Sequence, residues 1–164
     1  ADPYAEPNLV IRGMPDGRFE EVMPRGGTAS PLVATSRGAA FGDFDGDGAI
    51  DVVVVNRDGP VHLLRNIAPR AGGSLLLDLR EADGRPARHA RVLATVGERS
   101  VRIDPGPDGS YFASNDPRAH LGLGEADVAR DVTVRWADGT QESFGDLPAG
   151  PPRRLVRGTG TPAD

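Results

Sequence analysis

Residues 43–51 read D-F-D-G-D-G-A-I-D and place carboxylates at loop positions 1, 3, 5 and 9. Packing acids this densely gains no apolar burial, and their mutual repulsion calls for a neutralising cation. A hard divalent ion is the natural partner, because Ca²⁺ collects six to eight oxygens from carboxylates, backbone carbonyls and water. Asp43, Asp45, Asp47 and Asp51 are the expected side-chain ligands, and the backbone carbonyl of Ala49 is the expected fifth. Gly46 and Gly48 let the chain curl around an ion. The EF-hand shares the first half of this pattern but requires a Glu at loop position 12 and a helix on each side. Position 12 is Val54, within a run of four valines (52–55) that favours strand over helix. The loop is therefore expected to join two strands.

The elements around it also read as strands. Residues 74–80 and 90–96 are apolar-rich, and residues 100–104 and 132–136 alternate polar with apolar. Asp83-Gly84, Asp108-Gly109 and Asp138-Gly139 are turn pairs, and residues 136–141 are expected to form a tight hairpin. Near the N-terminus, the apolar residues 9–11, the Asp16-Gly17 turn, and Phe19 and Val22 predict another hairpin. Its expected acceptor is the sheet containing residues 52–55 and 61–64, in the same chain or in a second copy. A Pro/Gly-rich patch at residues 68–73 marks the expected boundary between two units.

Composition narrows the function classes. There is no cysteine, which excludes disulfides and thiolate metal sites, and no apolar run long enough to span a membrane. All 19 basic residues are arginine, mostly interspersed with 24 acids for a net charge of −5, so no nucleic-acid footprint is expected. No signal-peptide pattern is evident, which fits a trimmed secreted chain as well as a cytosolic one. With 22 Gly, 15 Pro and no long helical periodicity, short strands joined by turns are expected.

The remaining candidates carry little chemistry. His62, His89 and His120 are the three histidines. His120 is the one that could act as a general base, beside Asp116 or Ser114, but no triad or metalloprotease pattern surrounds it. Residues 114–117 (S-N-D-P) are expected to form an Asx-type turn, with His120 packed or hydrogen-bonded locally, and Gly122 and Gly124 to permit close backbone packing. The expectation is a non-enzyme with no catalytic residue. Asp104 and Asp108 are expected to stay solvated rather than form a second cation site. Trp136, Tyr111 and Phe112 are candidates for a sugar-stacking platform, but the alternation of Trp136 with Val134 and Val132 points to one core face.

Residues 37–66, with Phe41-Gly42 ahead of the acidic loop and V-H-L-L-R-N after it, resemble an FG-GAP/VCBS repeat, the calcium-binding blade unit of β-propellers. Residues 8–22 resemble the tail of a preceding repeat. Farther on, G-S-Y-F-A-S-N-D-P-R (109–118), H-L-G-L-G (120–124) and V-T-V-R-W-A-D-G (132–139) resemble an ASPIC/UnbV domain. Leu121 and Ala137-Asp138 depart mildly from that pattern. The resemblances imply an all-β chain: a partial propeller-type blade with one calcium loop (1–67), then a β-sandwich or small barrel (74–160). They imply an extracellular or periplasmic, calcium-binding, structural or self-assembling module. The alternative is a ligand-binding or adhesion module recognising a glycan or protein. A propeller closes with four to eight blades. One blade must therefore pack on something else: the neighbouring domain, more of a longer protein, or another copy met through strand edges.

Overall fold

The computed structural model describes residues 2–69 and 72–163. Among them the chain is all-β apart from one short 3-10 turn at Arg25–Gly27. The N-terminal strands are β1 (Glu6–Pro7), β2 (Ile11–Gly13), β3 (Phe19–Glu21), β4 (Val33–Ala34), β5 (Ser36–Gly42), β6 (Asp51–Asn56) and β7 (His62–Leu64). Beyond the patch at 68–73, of which residues 70 and 71 lie outside the described residues, come β8 (Gly73–Arg80), β9 (Arg91–Val96), β10 (Arg99–Ile103) and β11 (Ala119–Gly124). The chain ends in β12 (Val128–Arg135), β13 (Gln141–Pro148), β14 (Arg153–Val156) and β15 (Thr161–Ala163).

The strands form five small sheets, and no closed barrel forms among the described residues. The acidic loop is the turn of a hairpin. β5 and β6 pair antiparallel from Ser36↔Asn56 to Gly42↔Asp51, and β7 pairs on the far side of β6. This three-stranded sheet has two unlike faces. Ala39, Phe41, Val52, Val54 and Leu64 line a groove of about 400 Å³ shared with Leu9, Val10 and Tyr111. On the other side Val55 and Leu63 stand exposed.

The main core belongs to two C-terminal sheets, ordered β10-β9-β12-β13-β15 and β11-β8-β14. Alternation decides what enters it: Leu75, Leu77 and Leu79 from β8, Val92, Ala94 and Val96 from β9, Ala119, Leu121 and Leu123 from β11, and Val132 and Val134 from β12. Trp136, only 2 % exposed, joins this core, as the alternation with Val132 and Val134 predicts. The expected hairpin also forms: β12 and β13 pair through Arg135↔Gln141, and the Trp136 amide donates to the Thr140 carbonyl at 2.8 Å.

Several expectations change. The Asn8–Val22 region does form a hairpin, with the Val22 amide donating to the Val10 carbonyl, but β2 and β3 make a separate two-stranded sheet and add to no other. Leu9, Ile11 and Phe19 remain more than half exposed. Gly122 does not serve close packing, since a Cβ there would meet nothing within 4 Å; Gly124 takes φ 58 at a bulge in the β11–β8 pairing. Tyr111 and Phe112 lie edge-to-face with ring centroids 4.5 Å apart, yet both are exposed while Trp136 is buried, so the three make no common platform. No helix among the described residues is long and apolar enough to cross a membrane.

Candidate metal centre

β5 delivers the chain to Asp43 and β6 begins at Asp51, so the hairpin pins both ends of the acidic loop. Inside it, Gly46 and Gly48 take φ 74 and 87, left-handed values that an L side chain disfavours. The loop folds onto its own carboxylates. The amides of Asp47 and Gly48 donate to the two oxygens of Asp43, at 3.1 and 2.9 Å. Asp47 also donates to Asp45 Oδ1, and Ala49 to Asp47 Oδ1.

Asp51 is the structural keystone. It is 2 % exposed; Oδ2 accepts from the Phe44 amide at 3.1 Å and Oδ1 from the Asn66 amide at 2.8 Å. One carboxylate thus ties the start of the loop to the segment that follows β7. Arg65, from the same segment, lies 2.5 Å from Asp45 and 3.5 Å from Asp47, and the Asp45 charge raises its pKa.

One oxygen each from Asp43, Asp45 and Asp51 lies within 4.8 Å of the others. Calcium–oxygen distances of 2.3–2.6 Å allow two ligands of one ion to be at most about 5 Å apart, so these three suit a single cation. The set also has the right chemistry: hard oxygen donors, two of the acids buried and one exposed. Asp47 stands beside this trio, held by the Ala49 amide and near Arg65. Ala49 is half-buried at the end of the turn. The cluster could therefore bind a metal ion through its carboxylates.

Asp104 behaves as a solvated ion-pair partner. Asp104 is flanked by Arg91 at 2.5 Å and Arg102 at 2.8 Å, and hydrogen bonds from both, Arg91 first, lower its pKa. Among the described residues it joins no cluster suited to an ion.

The sequence reading missed what lies against the loop. The expected Asx turn forms, with the Arg118 amide donating to Asp116 Oδ1 at 3.0 Å. His120, however, reaches away from that turn: its Nε2 lies 2.9 Å from the carbonyl oxygen of Gly48, inside the acidic loop. Nor is it aligned with Asp116 as a base with its orienter, since that carboxylate is taken by Arg118 in three contacts of 2.5–3.0 Å. Burial works to raise the Asp116 pKa, but the Arg118 bonds prevail and it is lowered. The same segment meets the outer edge of β5. Phe41 donates to Asn115 Oδ1 at 3.0 Å and accepts from the Asp116 amide at 2.9 Å. A Cβ on Gly42 would come within 3.0 Å of Asp116 Cβ, so only glycine allows this approach without a shift. His89 is exposed at φ 58 and lines a pocket with Arg91, Arg135 and Asp138, and His62 is half-buried in β7.

Comparison with known proteins places the C-terminal half. The family model described as ASPIC and UnbV matches residues 80–161. Cartilage acidic protein 1 of Mus musculus is 32% identical over 140 residues, covering 82% of this chain and 21% of that protein. The human protein of the same name gives the same figures, and that of Xenopus tropicalis is 32% identical over 129 residues, 76% of this chain and 19% of its own length. The chain thus spans about a fifth of the length of these relatives.

Proposed function

The chain belongs to the ASPIC and UnbV family, and from that premise we propose that it is a non-catalytic, extracellular, calcium-binding structural module. In this reading residues 37–66 are an FG-GAP/VCBS-type blade, residues 74–160 are a β-sandwich, and Asp43, Asp45, Asp47, Ala49 and Asp51 hold one Ca²⁺. The observation that carries it is the convergence of the Asp43, Asp45 and Asp51 carboxylates within 4.8 Å in a loop anchored at both ends. A bound cation would cancel the repulsion of the acids and tie β5 to β6. Extracellular calcium modules commonly bind at about 10⁻⁴–10⁻³ M, so millimolar free calcium would fill such a site and cytosolic levels would not. The kinship with cartilage acidic protein 1 supports the extracellular assignment.

The open side of the β5–β6–β7 sheet favours a role in assembly. Val55 is 45% and Leu63 63% exposed on that face, and an apolar sheet face of this kind fits against a neighbouring blade or a second copy. Sedimentation velocity in 5 mM CaCl₂ and in EDTA tests this. Calcium-dependent oligomers support self-assembly; a monomer in both conditions points instead to an adhesion module recognising a glycan or protein. Absence of bound calcium at 5 mM CaCl₂, measured by equilibrium dialysis, would defeat the reading as a whole.

A further inference from the structure

We infer that His120 is a positioning residue for the cation loop, and that through it the segment Gly109–His120 couples cation occupancy to the docking of the C-terminal sheets. This rests on the reading of residues 43–51 as a calcium loop. The geometry supplies the argument. A carbonyl oxygen can only accept, so at 2.9 Å from Gly48 O the Nε2 of His120 carries the proton and donates. The oxygen it holds belongs to the Gly48–Ala49 peptide unit. The amide on the other side of that planar unit, Ala49 N–H, donates to Asp47 Oδ1 at 2.9 Å. One peptide plane is therefore clamped from both sides, by a histidine of another sheet and by a carboxylate of the loop.

The plane needs such a clamp. Gly48 sits at φ 87 without a side chain to restrict it, so its conformation alone does not fix the orientation of this plane. Its orientation sets both the Asp47 carboxylate and the chain entering Ala49, whose carbonyl is the expected backbone ligand. His120 itself is not free to move. In β11 it pairs with Leu76 of β8, while its neighbours Ala119 and Leu121 are buried in the core at 0% and 1% exposure. The histidine thus transmits the rigidity of the main core to a glycine-rich loop. Beside it, Asn115 and Asp116 bond both polar groups of Phe41 on the outer edge of β5, so the same segment grips the strand that leads into Asp43.

Coupling of this kind is reciprocal: if docking favours the ion, the ion favours docking. The test uses the full chain, with calcium binding measured by equilibrium dialysis and amide exchange followed by mass spectrometry with and without CaCl₂. Calcium should slow exchange at residues 43–51 and also at the Asn115 and Asp116 amides, which donate to the Pro107 and Phe41 carbonyls. His120→Ala should weaken calcium binding about fivefold, the effect of one net hydrogen bond, and abolish the response at 115–116. His120→Gln, which can present an N–H near the Nε2 position, should recover part of both. Calcium protection confined to 43–51 in the wild type, or unchanged affinity in His120→Ala, would overturn the coupling while leaving the calcium site standing. A wild-type chain that binds no calcium would overturn both, and the dialysis arm alone would reveal it.

Discussion

Replacing Asp51 with alanine should be far more costly than replacing Asp45, and the two should differ in a way that separates folding from ion binding. The Asp51 carboxylate is buried and accepts the Phe44 and Asn66 amides. A hydrogen bond to a charged group contributes about 1.5–3 kcal/mol, so losing both should cost about 3–6 kcal/mol even without calcium. Asp45 is exposed, accepts one amide within the turn and pairs with an exposed arginine. Interactions of that kind are worth about 1 kcal/mol or less. Calcium adds a second, independent increment. With a dissociation constant of 10⁻⁴–10⁻³ M and 10 mM calcium, mass action stabilises the folded state by about 1.4–2.7 kcal/mol. Both variants should lose it. Scanning calorimetry in EDTA and in 10 mM CaCl₂ reads both effects. In EDTA, Asp45→Ala should melt close to wild type and Asp51→Ala far below it; in calcium, wild type should rise and Asp45→Ala should stay. An Asp51→Ala protein within 1 kcal/mol of wild type in EDTA would refute the keystone role. An Asp45→Ala protein that keeps the full calcium increment would refute the ligand assignment.

Three further outcomes follow from the same geometry. Trp136→Ala should destabilise the C-terminal core by about 3–5 kcal/mol in urea unfolding, since this fully packed side chain is 2 % exposed. Arg65→Gln should tighten calcium binding severalfold at low salt, and less at high salt, because the guanidinium beside Asp45 and Asp47 repels an arriving cation and is screened by ions. Asp138 should titrate at about 2 rather than 3.8, because the Thr140 hydroxyl first and then Arg157 hydrogen-bond its ionised form. A carboxylate with a depressed folded pKa contributes stability that is present above its unfolded value and lost as pH falls. The contribution of Asp138 should therefore disappear between about pH 4 and pH 2. An NMR titration of Thr140→Val should show its midpoint moved upward.

Some features were legible in the sequence because single residues dictate them. Alternate acids with intervening glycines announce an oxygen-donor loop, and Asp-Gly at 138–139 announces a hairpin whichever sheet receives it. β8 and β9 were legible from their apolar runs. β13 was not: Q-E-S-F-G-D-L-P has no clean alternation, and pairing with β12 and β15 holds it in place. β11 hid behind two glycines, though its Ala119, Leu121 and Leu123 do alternate into the core. The hairpin at residues 8–22 was legible as a hairpin but not as a separate sheet, because strand propensity does not say which edge a strand will join. The bond from His120 to Gly48 spans 72 residues and has no local signature. Only the fold, which turns His120 away from the core side of β11, brings it to the acidic loop.

The central claim is that residues 43–51 bind calcium. Equilibrium dialysis of the full chain against 0.05–10 mM CaCl₂, with metal measured by elemental analysis, tests it most directly. The account predicts one ion per chain, half-saturation at about 10⁻⁴–10⁻³ M, and loss of that ion in Asp45→Ala. No bound calcium at 10 mM, or the same single ion retained by Asp45→Ala, would contradict it.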